Sequence, residues 1–193
     1  VIKVLTEQTY LDFDLTKITA VLKQIKMPGR DRKRLEDMVF SRKDWCLSRQ
    51  RKWGVPIDEN NILDVWFDSG TVFAMNDGPA DIYIEGQDQH RGWFQSSAII
   101  AAMIGRVPTK RIVSHGFVMD EYSRKLAKSL GNGRSLDELY DEFGPDVMRL
   151  WIVLSDYTDN VVFSEDSMKS AAKQYFKVRN RMRYFVNNLY REE

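Results

Sequence analysis

Residues 125–133 read Lys-Leu-Ala-Lys-Ser-Leu-Gly-Asn-Gly. Two lysines three apart, a serine and a glycine-rich turn can gather around phosphate. Ammonium groups stabilise the charge that develops in phosphoryl or nucleotidyl transfer, and amides near Gly131 and Gly133 can add to them. The candidate residues are Lys125, Lys128 and Ser129, on a mobile loop. The stretch is not a Walker A loop, because no glycine precedes the lysine at that spacing. The same grouping also suits a solvated turn at a helix entry.

A second grouping, Glu85-Gly86-Gln87-Asp88-Gln89-His90-Arg91-Gly92-Trp93, combines polar side chains, two glycines and an indole. Its carboxylates and amides can bind an amine, ribose hydroxyls or an adenine edge. A buried polar group that loses its partner costs about 1–3 kcal/mol, so such a site is selective. The stretch equally reads as a helix start with Asp88 as N-cap and Trp93 in the core. In a third, Leu63–Gly70, Trp66 can wall an apolar pocket or fill the core from a strand. In a fourth, Trp45–Gly54, interleaved aromatics and arginines suit stacking and phosphate contact. The chain has two histidines, His90 and His115, and one cysteine, Cys46. No zinc-ligand set, thiol nucleophile or Ser-His-Asp arrangement can be argued from them.

The surrounding pattern supplies elements to position these groups. Asp14–Ile25 has a helical apolar stripe of Leu15, Ile18, Val21, Leu22 and Ile25, ended by Met27-Pro28-Gly29. Trp45–Pro56 reads as a polar loop. Ile62–Phe67 and Asp81–Ile84 read as strands. Arg91–Ile104 reads as a helix closed by Gly105 and Pro108, and Arg111–Met119 as a third strand interrupted at Gly116. Strand, turn, helix, strand is a βαβ unit with a parallel sheet, whose ligands sit at the carboxyl ends of the strands. Both the Glu85 stretch and the lysine loop follow such ends. Ser135-Leu136-Asp137-Glu138 is a capping box, Gly144-Pro145 ends its helix, and Asp146 is positioned to cap the next. Glu165–Tyr190 reads as one long amphipathic helix, with Lys169, Lys173, Lys177, Arg179, Arg181 and Arg183 on its polar face.

Bulk properties narrow the class. The 193 residues are 43% hydrophobic and 30% charged, enough for a core and against disorder. Net charge is +1, so the total does not point to nucleic acid. The distribution is uneven: residues 23–52 hold eleven Lys/Arg against four Asp/Glu, and residues 53–90 hold eight Asp/Glu and no Lys/Arg. A basic arm of this kind suits RNA or a solvated face. One cysteine fits the reducing cytosol. No apolar run approaches the ~20 residues of a membrane span. The first residues have neither an initiator methionine nor a signal-peptide layout, so the chain reads as a piece of a longer protein.

In this order, the segments Trp45–Arg51, Leu63–Gly70, Glu85–Trp93 and Lys125–Asn132 resemble the class I aminoacyl-tRNA synthetases, and among these the isoleucyl branch. The resemblance runs from about Leu5 to Tyr190. Lys125–Ser129 looks like that class's KMSKS signature, and Glu85–Trp93 is the more specific segment. The resemblance implies an α/β fold: the C-terminal half of a Rossmann-like nucleotide-binding domain with parallel strands, then helices. It implies a connecting segment trailing an editing insertion (1–60), the second catalytic half (61–145) and the start of a helical stem-contact or anticodon-binding region (146–193). It implies a cytoplasmic ligase that activates isoleucine with ATP and Mg2+ and passes it to tRNA(Ile). Lys125, Lys128 and Ser129 would meet ATP, with Lys128 on the phosphates. Glu85 and Gly86 would bind the adenylate, and Asp88 and Gln89 would surround the amino acid. Trp66 and Trp93 would line the isoleucine side-chain pocket. The basic arm and the last helix would face tRNA.

Three departures bear on that reading. The class's His-Ile-Gly-His signature is absent from the 193 residues. Ala127 stands where the signature has its first serine. Between Pro56 and Leu63 the chain runs only Ile-Asp-Glu-Asn-Asn-Ile, where the class carries a longer insertion. The expectation is therefore a catalytic-domain fragment holding half an active site. The alternatives are a valyl, leucyl or methionyl enzyme of the class, and a noncatalytic tRNA-binding module of the same shape.

Overall fold

Asp14 opens the first helix. Its carboxylate accepts from Thr16 N at 2.8 Å and Lys17 N at 3.4 Å, satisfying donors that a helix start leaves without partners. Helix α1, Leu15–Gln24, buries Ile18, Val21 and Leu22. Helix α2, Gly29–Phe40, buries Asp31, Leu35 and Val39. Arg32 of α2 donates to Leu22 O and Ile25 O, both at 2.7 Å, placing a cation on the carbonyl end of α1. The computed structural model describes residues 6–42, 44–127 and 130–189. These fall into two units, Val1–Ser114 and His115–Glu193.

In the first unit, β1 (Tyr10–Asp12) pairs antiparallel with β2 (Asp44–Cys46), and β3 (Ser48–Arg49) with β4 (Ile62–Leu63). The expected polar loop at Trp45–Pro56 is therefore partly strand. Trp45 and Ser48 are buried, and Leu47 N donates to Thr9 O at 2.8 Å. The β3–β4 connection is a self-contained turn. Leu63 N donates to Val55 O at 2.7 Å and Ile57 N to Asn61 O at 2.9 Å. Asp58 Oδ1 accepts from Asn60 N at 2.8 Å and Asn61 N at 2.9 Å, as an Asx turn does.

The expected strand Ile62–Phe67 stops at Leu63. Asp64 caps a helix there, accepting from Trp66 N at 3.1 Å, and α3 runs Val65–Thr71. Strand β5 (Tyr83–Gly86) pairs with β6 (Ile112–His115), and Ala80–Thr109 and Lys26–Arg111 form parallel bridges beside them. Helix α4, Trp93–Met103, connects β5 to β6 and is buried from Phe94 to Ala102. A helix apolar on every side belongs in a core. It packs with Ile18, Leu22, Phe73, Tyr83 and Ile112 in one cluster.

In the second unit, β7 (Val118–Met119) pairs in parallel with β8 (Val161–Val162). The expected interruption falls at Gly116, where a Cβ would lie 2.1 Å from Asp159 O, so a side chain does not fit. Ser135 Oγ accepts from Glu138 N at 3.1 Å and starts α5, Leu136–Phe143. Gly144, at φ +77°, ends that helix. It also caps α6, Pro145–Leu154. Asp146 is thus not the cap: Pro145 already occupies the first helical turn, where its fixed φ fits. Helix α7, Glu165–Leu189, packs Met168 and Ala171 against Val147. Further along, Met182, Phe185 and Leu189 are exposed. No helix among the described residues is long and apolar enough to cross a membrane.

Candidate functional site

The first candidate site lies at the end of β5. Tyr83 is buried there, and its ring stacks on the indole of Trp93 with centroids 4.0 Å apart and planes 17° apart. Such a pair contributes about 0.5–1.5 kcal/mol beyond its buried area. Trp93 Nε1 donates to Ser69 O at 2.9 Å, which ties the indole to α3 as well. Between Gly86 and Gly92 the chain makes one 3-10 turn, Gln87–Arg91.

The cap of α4 differs from the expected one. Gly92 occupies the N-cap position, and Gln89 Oε1 supplies the missing acceptor, taking Trp93 N at 2.9 Å. Asp88 lies a full turn too early to do this. It is exposed, as is Glu85, whereas Gly86 is buried. Two carboxylates therefore face solvent on a turn whose backbone is fixed from within. Gln89 spends its oxygen on the backbone, leaving its amide nitrogen with only a 3.5 Å contact to Asp88 Oδ2.

Trp66 reaches the same turn from α3. A Cβ on Gly92 would lie 3.0 Å from the Trp66 ring and 2.5 Å from Gln89 Oε1, so glycine lets the indole close on the turn. Asp64 sets the position of Trp66. It is 3% exposed and accepts from Trp66 N, from Trp45 Nε1 at 3.0 Å and from Arg49 Nη2 at 2.5 Å. A cleft of about 220 Å³ opens beside Trp66, walled by Asp64, Arg42, Arg49, Arg91 and Gly92 among others. Trp93 does not line it, because Tyr83 and Ser69 hold that ring elsewhere.

The basic arm is partly internal. Arg32 sits on the end of α1, Arg34 Nη1 donates to Gln87 Oε1 at 3.1 Å, and Arg49 binds Asp64 and the carbonyls of Cys46 and Ser48. Local electrostatics and packing thus account for three of the cations that composition assigned to RNA or solvent.

The second candidate site is the lysine loop of the other unit. Asp120 organises it. Its Oδ1 accepts from Tyr122 N at 3.0 Å and Arg124 N at 2.8 Å, and its Oδ2 from Arg124 Nε at 2.8 Å and Asn132 Nδ2 at 3.0 Å. Burial pushes this carboxyl up, but the bonds from Arg124, Asn132 and Tyr122 outweigh it and hold it down at about 2. Asn132 carries the order onward: its Oδ1 accepts from Ala127 N at 3.1 Å, and its Nδ2 also reaches Lys125 O at 3.2 Å. Gly131 adopts φ +57°, a conformation open to glycine at little cost. Lys125 Nζ stands 3.6 Å from the centroid of Phe117. Lys128 and Ser129 lie outside the described residues. At the loop's exit Arg134 bonds Glu142 at 2.6 Å.

Asp64, His90, Asp120 and Asn132 escaped the sequence reading as organisers. For Asp64 a signal existed, since an acidic residue directly ahead of an apolar helical turn is an N-cap pattern. The other three act through contacts 2 to 59 residues away along the chain, and the long ones, His90 to Asp31 and Asn132 to Asp120, show in no local pattern.

The family model described as tRNA synthetases class I (I, L, M and V) matches residues 5–59 and 58–164. The isoleucine–tRNA ligase of Desulfotalea psychrophila is 37% identical, covering 84% of this chain and 24% of the relative. That of Vibrio vulnificus is 35% identical, covering 95% of this chain and 26% of the relative. The chain therefore spans about a quarter of the length of the curated relatives it matches.

Among solved structures, Mycobacterium tuberculosis methionyl-tRNA synthetase bound by methionyl-adenylate aligns with TM-score 0.62 and 20% identity. The alignment covers 80% of this chain and 35% of that one. The LeuRS–tRNA–LeuAMS complex of Agrobacterium radiobacter K84 aligns with TM-score 0.57 and 21% identity, over 74% of this chain and 21% of that one. These likenesses establish the α/β fold.

The alignments also size the short connection. The Desulfotalea alignment spans 226 positions but uses 84% of 193 residues, about 162, so about 64 positions have no counterpart here. The two family matches meet at residues 58–59, which is the Asp58 turn. The two family matches thus meet at a closed hydrogen-bonded turn. The chain belongs to the class I tRNA synthetases of the isoleucyl, leucyl, methionyl and valyl group.

Proposed function

We propose that this member of the class I tRNA synthetases is the adenylate-binding portion of an isoleucine–tRNA ligase that works in the cytoplasm. The reaction is attack of the isoleucine carboxylate on the α-phosphorus of ATP, supplied with Mg2+. Pyrophosphate leaves, and the isoleucyl group then passes to tRNA(Ile). The observation that carries the reading is the Glu85–Trp93 turn, fixed from within by Gln89, Tyr83 and Ser69 while Glu85 and Asp88 stay open to solvent.

In this reading Glu85 and Gly86 receive the adenylate. Asp88 faces the amino acid's ammonium group with Gln89 beside it, and Trp66 and Trp93 lie along its side chain. Lys125, Lys128 and Ser129 act on the phosphates. With Ala127 in place of a serine, one hydroxyl fewer is offered there. An apolar pocket separates substrates that differ by one methylene by only about 1–3 kcal/mol, a range for which this ligase is the standard example. The relatives' names, 35–37% identity and the Glu85–Trp93 segment favour isoleucine over the other three amino acids of the group.

Calorimetric titration of isoleucyl-sulfamoyl-adenosine into the chain tests this, run beside the valyl and methionyl analogues and beside Glu85→Ala. The expected result is preference for the isoleucyl compound, weakened at least tenfold by Glu85→Ala. Preference for another analogue moves the chain to that branch. Binding of tRNA with no analogue binding supports the noncatalytic module instead. Ordinary rates of isoleucine-dependent ATP–pyrophosphate exchange by these 193 residues alone would contradict the half-site reading.

A further inference from the structure

Helix α2 meets the Glu85–Trp93 turn along one stripe. Asp31, Arg34 and Met38 are spaced three and four apart, which puts them on one helix face. Asp31 Oδ1 lies 3.6 Å from His90 Nε2. Arg34 Nη1 donates to Gln87 Oε1 at 3.1 Å, and Met38 O accepts from Gln95 Nε2 at 2.7 Å. These contacts brace the turn at its start, its middle and the first helical turn that follows.

His90 is the middle brace and is 1% exposed. Its Nδ1 lies 2.7 Å from Gln87 O. A carbonyl oxygen only accepts, so Nδ1 carries a proton. The ring edge meets Phe94 at 5.5 Å and 88°. Nε2 has no hydrogen-bond partner and faces the Asp31 carboxylate, which is buried as well. A neutral ring therefore turns a lone pair toward a carboxylate, and a protonated one places a charge in the core.

We propose that His90 is a positioning residue for amino-acid binding: buried against Phe94 beside α2 and bonded to Gln87 O, it fixes the Gln87–Arg91 turn so that Gln89 and Trp93 meet the ligand in one geometry. The proposal rests on the functional reading above. The charged groups acting on His90 are Asp31, Arg30 and Arg34, all from α2. From α4 it meets the uncharged Phe94. Burial holds the imidazole below its ordinary value, with Arg34 and Arg30 acting the same way and the Gln87 bond and Asp31 opposing.

The sign of the pH effect follows from that direction. The seated ring binds protons less readily than a released one, whose pKa is ~6.5. The brace is at full strength above that value. It weakens as pH falls below it toward the depressed folded-state value, because protons favour the released ring.

The test measures amide exchange of Gly92 and Trp93 by NMR and affinity for isoleucyl-sulfamoyl-adenosine, from pH 7.5 to 5.5, in the unmodified chain, His90→Ala, His90→Asn and Arg34→Ala. His90→Ala should speed exchange and weaken affinity about tenfold at pH 7.5. His90→Asn restores a donor to Gln87 O, and should recover most of both while abolishing their pH dependence. Arg34→Ala, a surface change, should give a two- to threefold effect, and it decides the matter together with His90→Asn if His90→Ala does not fold.

Unaltered exchange in a folded His90→Ala variant would overturn the proposal. So would a pH dependence that survives His90→Asn. If the unmodified chain binds no analogue, the functional reading fails, and the exchange rates still judge His90 on their own.

Discussion

The two candidate sites are held by different physics. The Glu85–Trp93 turn is held from three elements: Tyr83 of β5, the Ser69 carbonyl and Trp66 of α3, and α2 from the other flank. Removing one anchor leaves the others. The lysine loop hangs instead from one carboxylate, Asp120, and from Asn132 bonded to it. Its backbone adds a few bonds, Leu126 N to Val118 O at 3.0 Å and Asp120 N to Arg124 O at 2.8 Å, and its other described side-chain contacts are a cation over Phe117 and ion pairs of Arg134. Packing is many-bodied and fails gradually, whereas a polar node fails as a unit. The turn is therefore held in one arrangement by packing. The loop's side-chain bonds converge on the charge of one group.

Substitutions that strike one region and spare the other sharpen that contrast. Asp64→Ala should have the largest effect, about 3–5 kcal/mol in denaturant unfolding of the first unit, because it strands Arg49 and the buried indole N–H of Trp45. A loss under 1 kcal/mol would show that the anchors around Trp66 do not depend on it. Gly92→Ala should cost about 1–3 kcal/mol, the range for forcing an extra carbon into a packed place. It should also displace Trp66, read as a change in indole fluorescence, while amide signals of residues 120–127 stay where they are.

On the loop, Asn132→Ala should cost about 0.5–1.5 kcal/mol locally, one net hydrogen bond or two, measured as faster exchange of the Ala127 amide with no change at Trp93. Acid should separate the regions by another route. Asp120, held at about 2, contributes its stabilisation fully above its unfolded value near 3.8 and loses it as pH falls from there toward 2. Loop amide signals should therefore shift in that window, and Asp120→Asn should remove the shift. Phe117→Leu should have the smallest effect, about 0.5–1 kcal/mol from the lost cation–ring contact, seen as altered ammonium chemical shifts of Lys125.

The same contrast explains what could be read from the sequence. Elements with a repeating apolar pattern were legible: α1 with its Asp14 cap, α5 with its Ser135 cap, α7, and the β5–α4–β6 unit. Both candidate stretches were legible as motifs, as was the shortened connection at Asp58. Trp66 was placed on a strand because Leu-Asp-Val-Trp-Phe reads as apolar in either geometry. Only the capping bond of Asp64 decides for helix.

Asp88 was a plausible cap by residue type, but Gln89 could reach Trp93 N and Asp88 could not. The arginines of the basic arm looked like partners for a polyanion, because composition cannot show that Arg32, Arg34 and Arg49 close on carbonyls and side chains of their own unit. Long-range contacts of single polar residues leave no periodic trace.

Hydrogen exchange of two protons in the unmodified, ligand-free chain tests the central claim most directly: the indole Nε1–H of Trp93 and the backbone amide of Ala127. A preformed turn beside a loop held at one node predicts Trp93 protection at least a hundredfold greater than that of Ala127, unaffected between pH 7.5 and 6.5. Equal protection at the two positions, or a Trp93 indole exchanging as fast as an exposed one, would contradict it.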